Sequence, residues 1–170
     1  MNSEDNNKYE SRDAVADTVR NKRDLSGADL SGIDLSEMKF TGLSMVGADM
    51  SNTNLTKAIL AAGNMADINL SNAQLNQARI AAANMNNANF QGADLTDSSW
   101  FAVNVTGANF EEATTTGARS IAVDWSKAKV PPSQIPESMP VPPWVPALIA
   151  GVVMLFVVIL IVALKRKKPE

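Results

Sequence analysis

Met45, Met65 and Met85 recur every twenty residues, and Asp29 and Asp49 stand the same distance apart, in a chain of 170 residues. A row of thioethers could hold a soft metal. Two carboxylates one repeat apart could hold a hard cation. Little else in the composition supports chemistry. The chain has no histidine, which removes the commonest general base and metal ligand. It has no cysteine, hence no disulfide framework and no thiolate site, which fits a reducing compartment. No phosphate-binding glycine loop occurs, and a net charge of −3 is too small to name a partner.

What positions these residues is a register of five. Large apolar residues stand at 25, 30, 35 and so on to 125, filling 19 of 21 sites; Thr115 and Ser120 are the exceptions. A chain that is 45% hydrophobic would place about nine there by chance. On an α-helix, five residues advance the chain by about 500°, so successive large residues fall roughly 140° apart. On a flat strand an odd step reverses the face each time. Neither element gathers them into one stripe, so the chain must turn a corner once per repeat. From Ala48 onward the residue two places earlier is mostly Ala, Gly, Ser or Thr, so small and large alternate into one narrow interior.

"ADLSG" (28–32), "ADMSN" (48–52), "ANMNN" (83–87), "ANFQG" (88–92) and "ADLTD" (93–97) carry the pattern A-(D/N)-L-X-X. The chain thereby resembles the pentapeptide repeat family over about 101 of its residues. The resemblance implies an all-β fold, a right-handed quadrilateral β-helix with four repeats per coil. Five coils stacked at ~4.8 Å give a rod of ~24 Å. Ile33, Met38 and Leu43 fill sites the family keeps small, which predicts first coils that are wider or distorted. Thr115 and Ser120 predict a loosening last coil, closed by Trp125 and stopped at Pro131 and Pro132.

Four repeats per coil sort the methionines into one core column, where thioethers are adaptable filler. Asn64, Asn84 and Asn104 stack outside as a ladder of amides, a structural device before it is a binding one. The Asp29–Asp49 column continues as Asn69, Asn89 and Asn109, which lack the charge a cation needs. No catalytic residue, metal ligand or cofactor is assigned, and the chain is read as a non-enzyme.

The outward residues differ by side. On three sides the two residues after each large one are polar or glycine, save Val46 and Ala66. The fourth reads Thr41-Gly42, Ala61-Ala62, Ala81-Ala82, Phe101-Ala102, Ile121-Ala122, with Ile59 at its border. Contiguous exposed apolar surface usually meets something. Either the N-terminal segment or the proline-rich segment folds back over it, or another chain docks there. The second is expected, with Phe101 and Ile121 as anchors and the alanines allowing close approach by a helix.

Five segments follow. Residues 1–22 are polar, with a possible helical cap in which Val15 and Val19 share a face; 23–125 are the β-helix. Residues 126–146 hold seven of eight prolines and read as a semi-rigid linker. Residues 147–164 are an uncharged apolar run long enough, at roughly 27 Å, for one transmembrane helix. Trp144 stands at its near boundary and Lys165, Arg166, Lys167 and Lys168 at its far one, in the tail 165–170.

The basic tail argues for a cytoplasmic C-terminus. No export signal is visible in residues 1–22, which argues for a tail-anchored protein with its rod in the cytoplasm, and that side is favoured. The function expected is a membrane-tethered scaffold or accessory subunit whose apolar edge docks a membrane-complex subunit or a second copy. The alternative, implied by the family, is an acidic DNA-mimic rod acting on a topoisomerase or another nucleic-acid enzyme: residues 24–124 carry eleven acids against four bases. Because Asn replaces Asp at many of the sites a phosphate mimic needs, no nucleic-acid partner is expected.

Overall fold

The computed structural model describes residues 8–139. The chain divides into two compact units, Met1–Ser138 and Met139–Glu170, and the described residues fall almost wholly within the first. The expected membrane run at 147–164, with Trp144 and the basic tail, lies outside them. Among the described residues no helix is long and apolar enough to cross a membrane.

Helix α1 (Arg12–Asn21) is followed by strands β1 (Lys39–Thr41), β2 (Ile59–Ala61), β3 (Arg79–Ala81), β4 (Ser99–Phe101) and β5 (Arg119–Ile121), a 3-10 turn (Trp125–Lys127) and β6 (Glu137–Ser138). The strands form one parallel sheet in chain order. Phe40 faces Leu60, Ile80 and Trp100 at twenty-residue steps. Single parallel bridges with the same step run up three further sides, beginning at Asp24–Ser44, Asp29–Asp49 and Asp34–Asn54. Twenty residues therefore make one four-sided turn, and the register yields a parallel β-solenoid of about five turns.

The corners explain the period. In each repeat the second residue after the large one takes a left-handed φ, from Gly27 (66°) through Asn52 (57°) and Ala82 (49°) to Ala122 (55°). On the three bridged sides a turn bond closes behind it, as from Ala28 N to Leu25 O at 3.1 Å. That is a type II turn, which requires φ > 0 at its third residue. The left-handed residue also aims its own amide along the stack: Gly27 donates to Val46 O at 2.8 Å and Asn52 to Ser71 O at 2.9 Å.

Inside, the four large residues of a turn stack on those above and below, and Leu30, Met45, Leu55 and Leu60 are fully buried. Toward the C-terminal end the stack turns aromatic. Phe90 and Phe110 lie parallel with centroids 4.7 Å apart, and Trp100 meets Trp125 edge-on at 5.2 Å. The small sites are tight: a Cβ on Gly63 would fall 2.8 Å from Met65 Cε and 2.9 Å from Leu43 O.

Both ends need a substitute for the missing neighbouring coil. At the N-terminal end Tyr9 N donates to Asp29 O at 2.9 Å, and Arg23 Nη2 to Thr41 O at 2.9 Å. Ser11 caps α1 by accepting from Ala14 N, and Val15 enters the core without residual exposure. Ile33, Met38 and Leu43, the oversized residues, belong to this first turn. Met38 and Leu43 are buried, while Ile33 packs half-buried against the same core as Val15.

The C-terminal end corrects two expectations. The last turn does not loosen, and residues 126–138 are not linker. Val130 pairs with Asn109 and β6 pairs with β5, so this segment lies across the end as a partial sixth turn. Thr115 and Ser120, the two polar core sites, are buried. Their hydroxyls donate to the carbonyls of Gln134 and Pro136. A proline segment has fewer amides of its own to offer, so hydroxyls inside the last turn hold it down.

Substituting Gly63→Ala should destabilise the full chain by about 1–3 kcal/mol, because Leu43 O is backbone and cannot step aside. Thermal unfolding followed by circular dichroism reads this directly; an unchanged melting temperature would mean the coil is looser than its packing implies.

Candidate functional site

Each strand of the fourth side has one inward residue, and its two neighbours point outward. The sheet register places Thr41, Ala61, Ala81, Phe101 and Ile121 in one outward column and Lys39, Ile59, Arg79, Ser99 and Arg119 in the other. The expected apolar residues thus come together. Phe101 is 52% exposed; Ala62, Ala82, Ala102 and Ala122 are exposed at the adjoining corner, and Ile59, Ala61, Ala81 and Ile121 are half-buried. Neither α1 nor the segment 126–138 covers this edge, since each is spent on an end of the stack.

The corner alanines hold φ of 52°, 49°, 50° and 55°. A Cβ there costs roughly 1–2 kcal/mol relative to the right-handed conformation, a cost glycine avoids. The equivalent residues at the other three corners are Gly, Asn or charged and polar side chains; alanine appears at this corner alone, four times in succession. The methyl groups therefore add apolar surface where the backbone would accept glycine more easily.

The basic column is the feature that reading by pairs after each core residue misses. Lys39, Arg79 and Arg119 stand two turns apart beside the apolar column, and Lys57 joins them at the leading corner. A shallow groove there has Glu37, Lys57 and Asp97 on one wall and Lys39, Ile59 and Arg79 on the other. These four are all the bases of residues 24–124, and among the described residues none forms an ion pair. Of the eleven acids in that span, only Glu37 and Asp97 share this side; the other nine face the rest. Reading the residue before each core position would have exposed the column.

The other sides are occupied by their own structure. Asp or Asn before the core residue accepts the amide two residues on, as Asp49 does from Ser51 N at 2.9 Å. Asn69 Nδ2 then donates to Asp49 Oδ1 at 3.0 Å, Asn89 to Asn69 at 3.3 Å and Asn109 to Asn89 at 3.4 Å. Asn84 donates to Asn64 at 3.0 Å in the neighbouring ladder. Asp29 is bound by the Ser31 hydroxyl at 2.6 Å, so the carboxylates weighed as a cation pair are engaged in turns. Met45, Met65 and Met85 are wholly buried in the apolar stack. Among the described residues no cluster of acidic side chains is arranged to hold a metal ion.

The same turns shift titration. Hydroxyl and amide bonds from Ser26 and Ser31 hold the Asp24 and Asp29 carboxyls below the ordinary range, and the Ser126 hydroxyl does so for Asp124. At Asp94 burial opposes ionisation, but Thr96 and Asn76 outweigh it and the carboxyl is again lowered. A carboxyl lowered in the fold contributes stability that is complete above its unfolded value of 3.8. That contribution is lost as pH falls through the folded value.

Pentapeptide repeats match the sequence in eight copies over residues 24–60 and 64–99. A search of curated proteins finds no match. Among solved structures, HetL, a pentapeptide repeat protein involved in heterocyst differentiation regulation from the cyanobacterium Nostoc sp., is 21% identical, with a TM-score of 0.47 over 66% of this chain and 55% of that one. This chain thus spans about half the length of HetL. A pentapeptide repeat protein of the Arabidopsis thaliana thylakoid lumen is 23% identical, with a TM-score of 0.47 over 59% and 69% of the two chains. QnrB1, a plasmid-mediated fluoroquinolone resistance protein, is 14% identical, with a TM-score of 0.44 over 62% and 69%.

Two outcomes test this account. The melting temperature should hold steady from neutral pH down to about pH 5 and fall below about pH 4, as the turn carboxyls protonate; a maximum in strong acid would contradict it. The triple variant Ala62→Gly, Ala82→Gly, Ala102→Gly should melt no lower than the parent. A marked fall would mean that the fold itself holds the methyl groups and that they are not kept as surface.

Proposed function

We propose, for a chain whose residues 24–60 and 64–99 match pentapeptide repeats, that it is a non-catalytic scaffold docking a partner protein through its fourth side. The observation that carries this reading is Phe101, half exposed on a column of alanines and unclaimed by either end segment. A stiff solenoid with one apolar edge suits a spacer and docking surface.

Tethering to a bilayer belongs to the same proposal. It rests on the eighteen uncharged apolar residues 147–164, with Trp144 and Lys165–Lys168 at their borders. The partner is then a subunit of a membrane complex.

A second reading has one observation in its favour. Three sides of residues 24–124 carry nine acids and no base, so they present an acidic surface of the kind a DNA mimic needs. Against it, Asn69, Asn89, Asn109, Asn64 and Asn84 interrupt the charge in both ladders. Inhibition of a type II topoisomerase by the full chain, abolished at high salt, would favour this reading over docking.

The primary test is purification of the full chain from membranes in mild detergent, with subunits identified by mass spectrometry. A stoichiometric partner is expected, lost in Phe101→Glu while the melting temperature is unchanged. Retention of the partner by that variant would overturn docking at this edge.

A further inference from the structure

The fourth side is amphipathic in a regular way. Its apolar column and its basic column run parallel to the solenoid axis, separated by two residues of extended strand, about 7 Å. Along the axis one turn advances ~4.8 Å, so Lys39, Arg79 and Arg119 recur at about 9.6 Å. Seven residues of α-helix advance about 10.5 Å. A helix lying along the axis would therefore return to the basic column once every two turns, with one side chain per return.

We propose that the occupant of this side is an amphipathic α-helix of the partner, laid along the solenoid. Its apolar stripe lies over Ala61, Ala81, Phe101 and Ile121, and its acidic residues, spaced about seven apart, lie opposite Lys39, Arg79 and Arg119. This rests on the docking reading and names the chemistry of what docks. The distance from Lys39 to Arg119, four turns or about 19 Å, accommodates roughly thirteen helical residues. The alanines let the helix axis come close, and Phe101 supplies the one large anchor. The bases are free to pair, because none is engaged with an acid among the described residues. The local acids are few: Glu37 and Asp97 at the leading corner, and Glu137, which faces Arg119 in the register.

Charge separates this occupant from the other two candidates. An isologous contact with a second copy would set the basic column against itself. An anionic bilayer would meet a span of net negative charge, and methyl groups reach too little hydrocarbon to offset that.

The probe is a synthetic helical peptide of about fourteen residues, with Leu along one stripe and Glu every seventh residue beside it. Its counterpart carries Lys at those positions. Fluorescence anisotropy against the full chain should show the Glu peptide bound and weakened by salt, with the Lys peptide at least about tenfold weaker. The variant Lys39→Glu/Arg79→Glu/Arg119→Glu should reverse that preference without a change in melting temperature. Equal binding of both peptides, or a Glu peptide indifferent to the charge reversal, overturns the acidic helix and leaves the apolar docking edge standing. No binding of either peptide, while Phe101→Glu still strips the native partner, overturns the helix alone. No binding, with the native partner also indifferent to Phe101→Glu, overturns both readings. Binding to phosphatidylglycerol vesicles in preference to the Glu peptide would also overturn the helix.

Discussion

One left-handed residue in every five is the constraint on which this molecule depends. It reverses the chain sharply enough to close a square, and it turns its own amide out of the coil plane toward the next coil's carbonyl, as Gly27 does to Val46 and Ala82 to Phe101. The cost of roughly 1–2 kcal/mol at a corner without glycine is offset locally by a cross-coil bond worth about 1 kcal/mol net and by the large residue that the corner aims inward. No corner is stable alone, because its amide is satisfied only when the next coil exists. The fold is thus cooperative along its axis in the manner of a stacked repeat.

That logic makes the two ends the points of difficulty, and the chain treats them differently. At the start a helix supplies both apolar cover, through Val15, and donors from the segment around it, through Tyr9 N and Arg23 Nη2. At the finish a proline-bearing segment lies across the last turn. Having fewer amides to give, it receives hydroxyls instead, from Thr115 and Ser120. Trp125 fills the apolar end of the stack against Trp100 and Phe110, and its Nε1 rests on the Ser120 hydroxyl.

This difference sets what the sequence disclosed. The five-residue register, the core columns and the alanine edge were legible because each follows from period alone, and a period is visible without coordinates. The closing segment was not. Thr115 and Ser120 break an apolar pattern, and a broken pattern reads as decay until the carbonyls that need those hydroxyls are seen. Seven prolines likewise read as linker, although residues 126–138 hold the last turn through the carbonyls of Gln134 and Pro136 and through the amides of Lys129 and Glu137. The basic column escaped for a third reason. Lys39, Arg79 and Arg119 are forty residues apart, and they line up only when the residue before each core position is followed from turn to turn.

The four sides are not equally free to evolve a surface, and this places recognition more firmly than exposure does. On three sides most residues before a core position are committed: Asp or Asn there accepts the amide two residues on, as at Asp24, Asp34, Asn54 and Asp94. In the ladders Asp49, Asn64, Asn69 and Asn89 accept an amide from the turn above; Ser44, Gln74 and Thr114 stand outside this pattern. Replacing a committed residue would remove a turn bond. On the fourth side the chain runs through as a three-residue strand, and no Asx turn is needed. The positions before the core hold Lys39, Ile59, Arg79, Ser99 and Arg119, residues that share no structural duty. Here outward chemistry changes without loss of such a bond, and here the bases and the exposed phenylalanine are found.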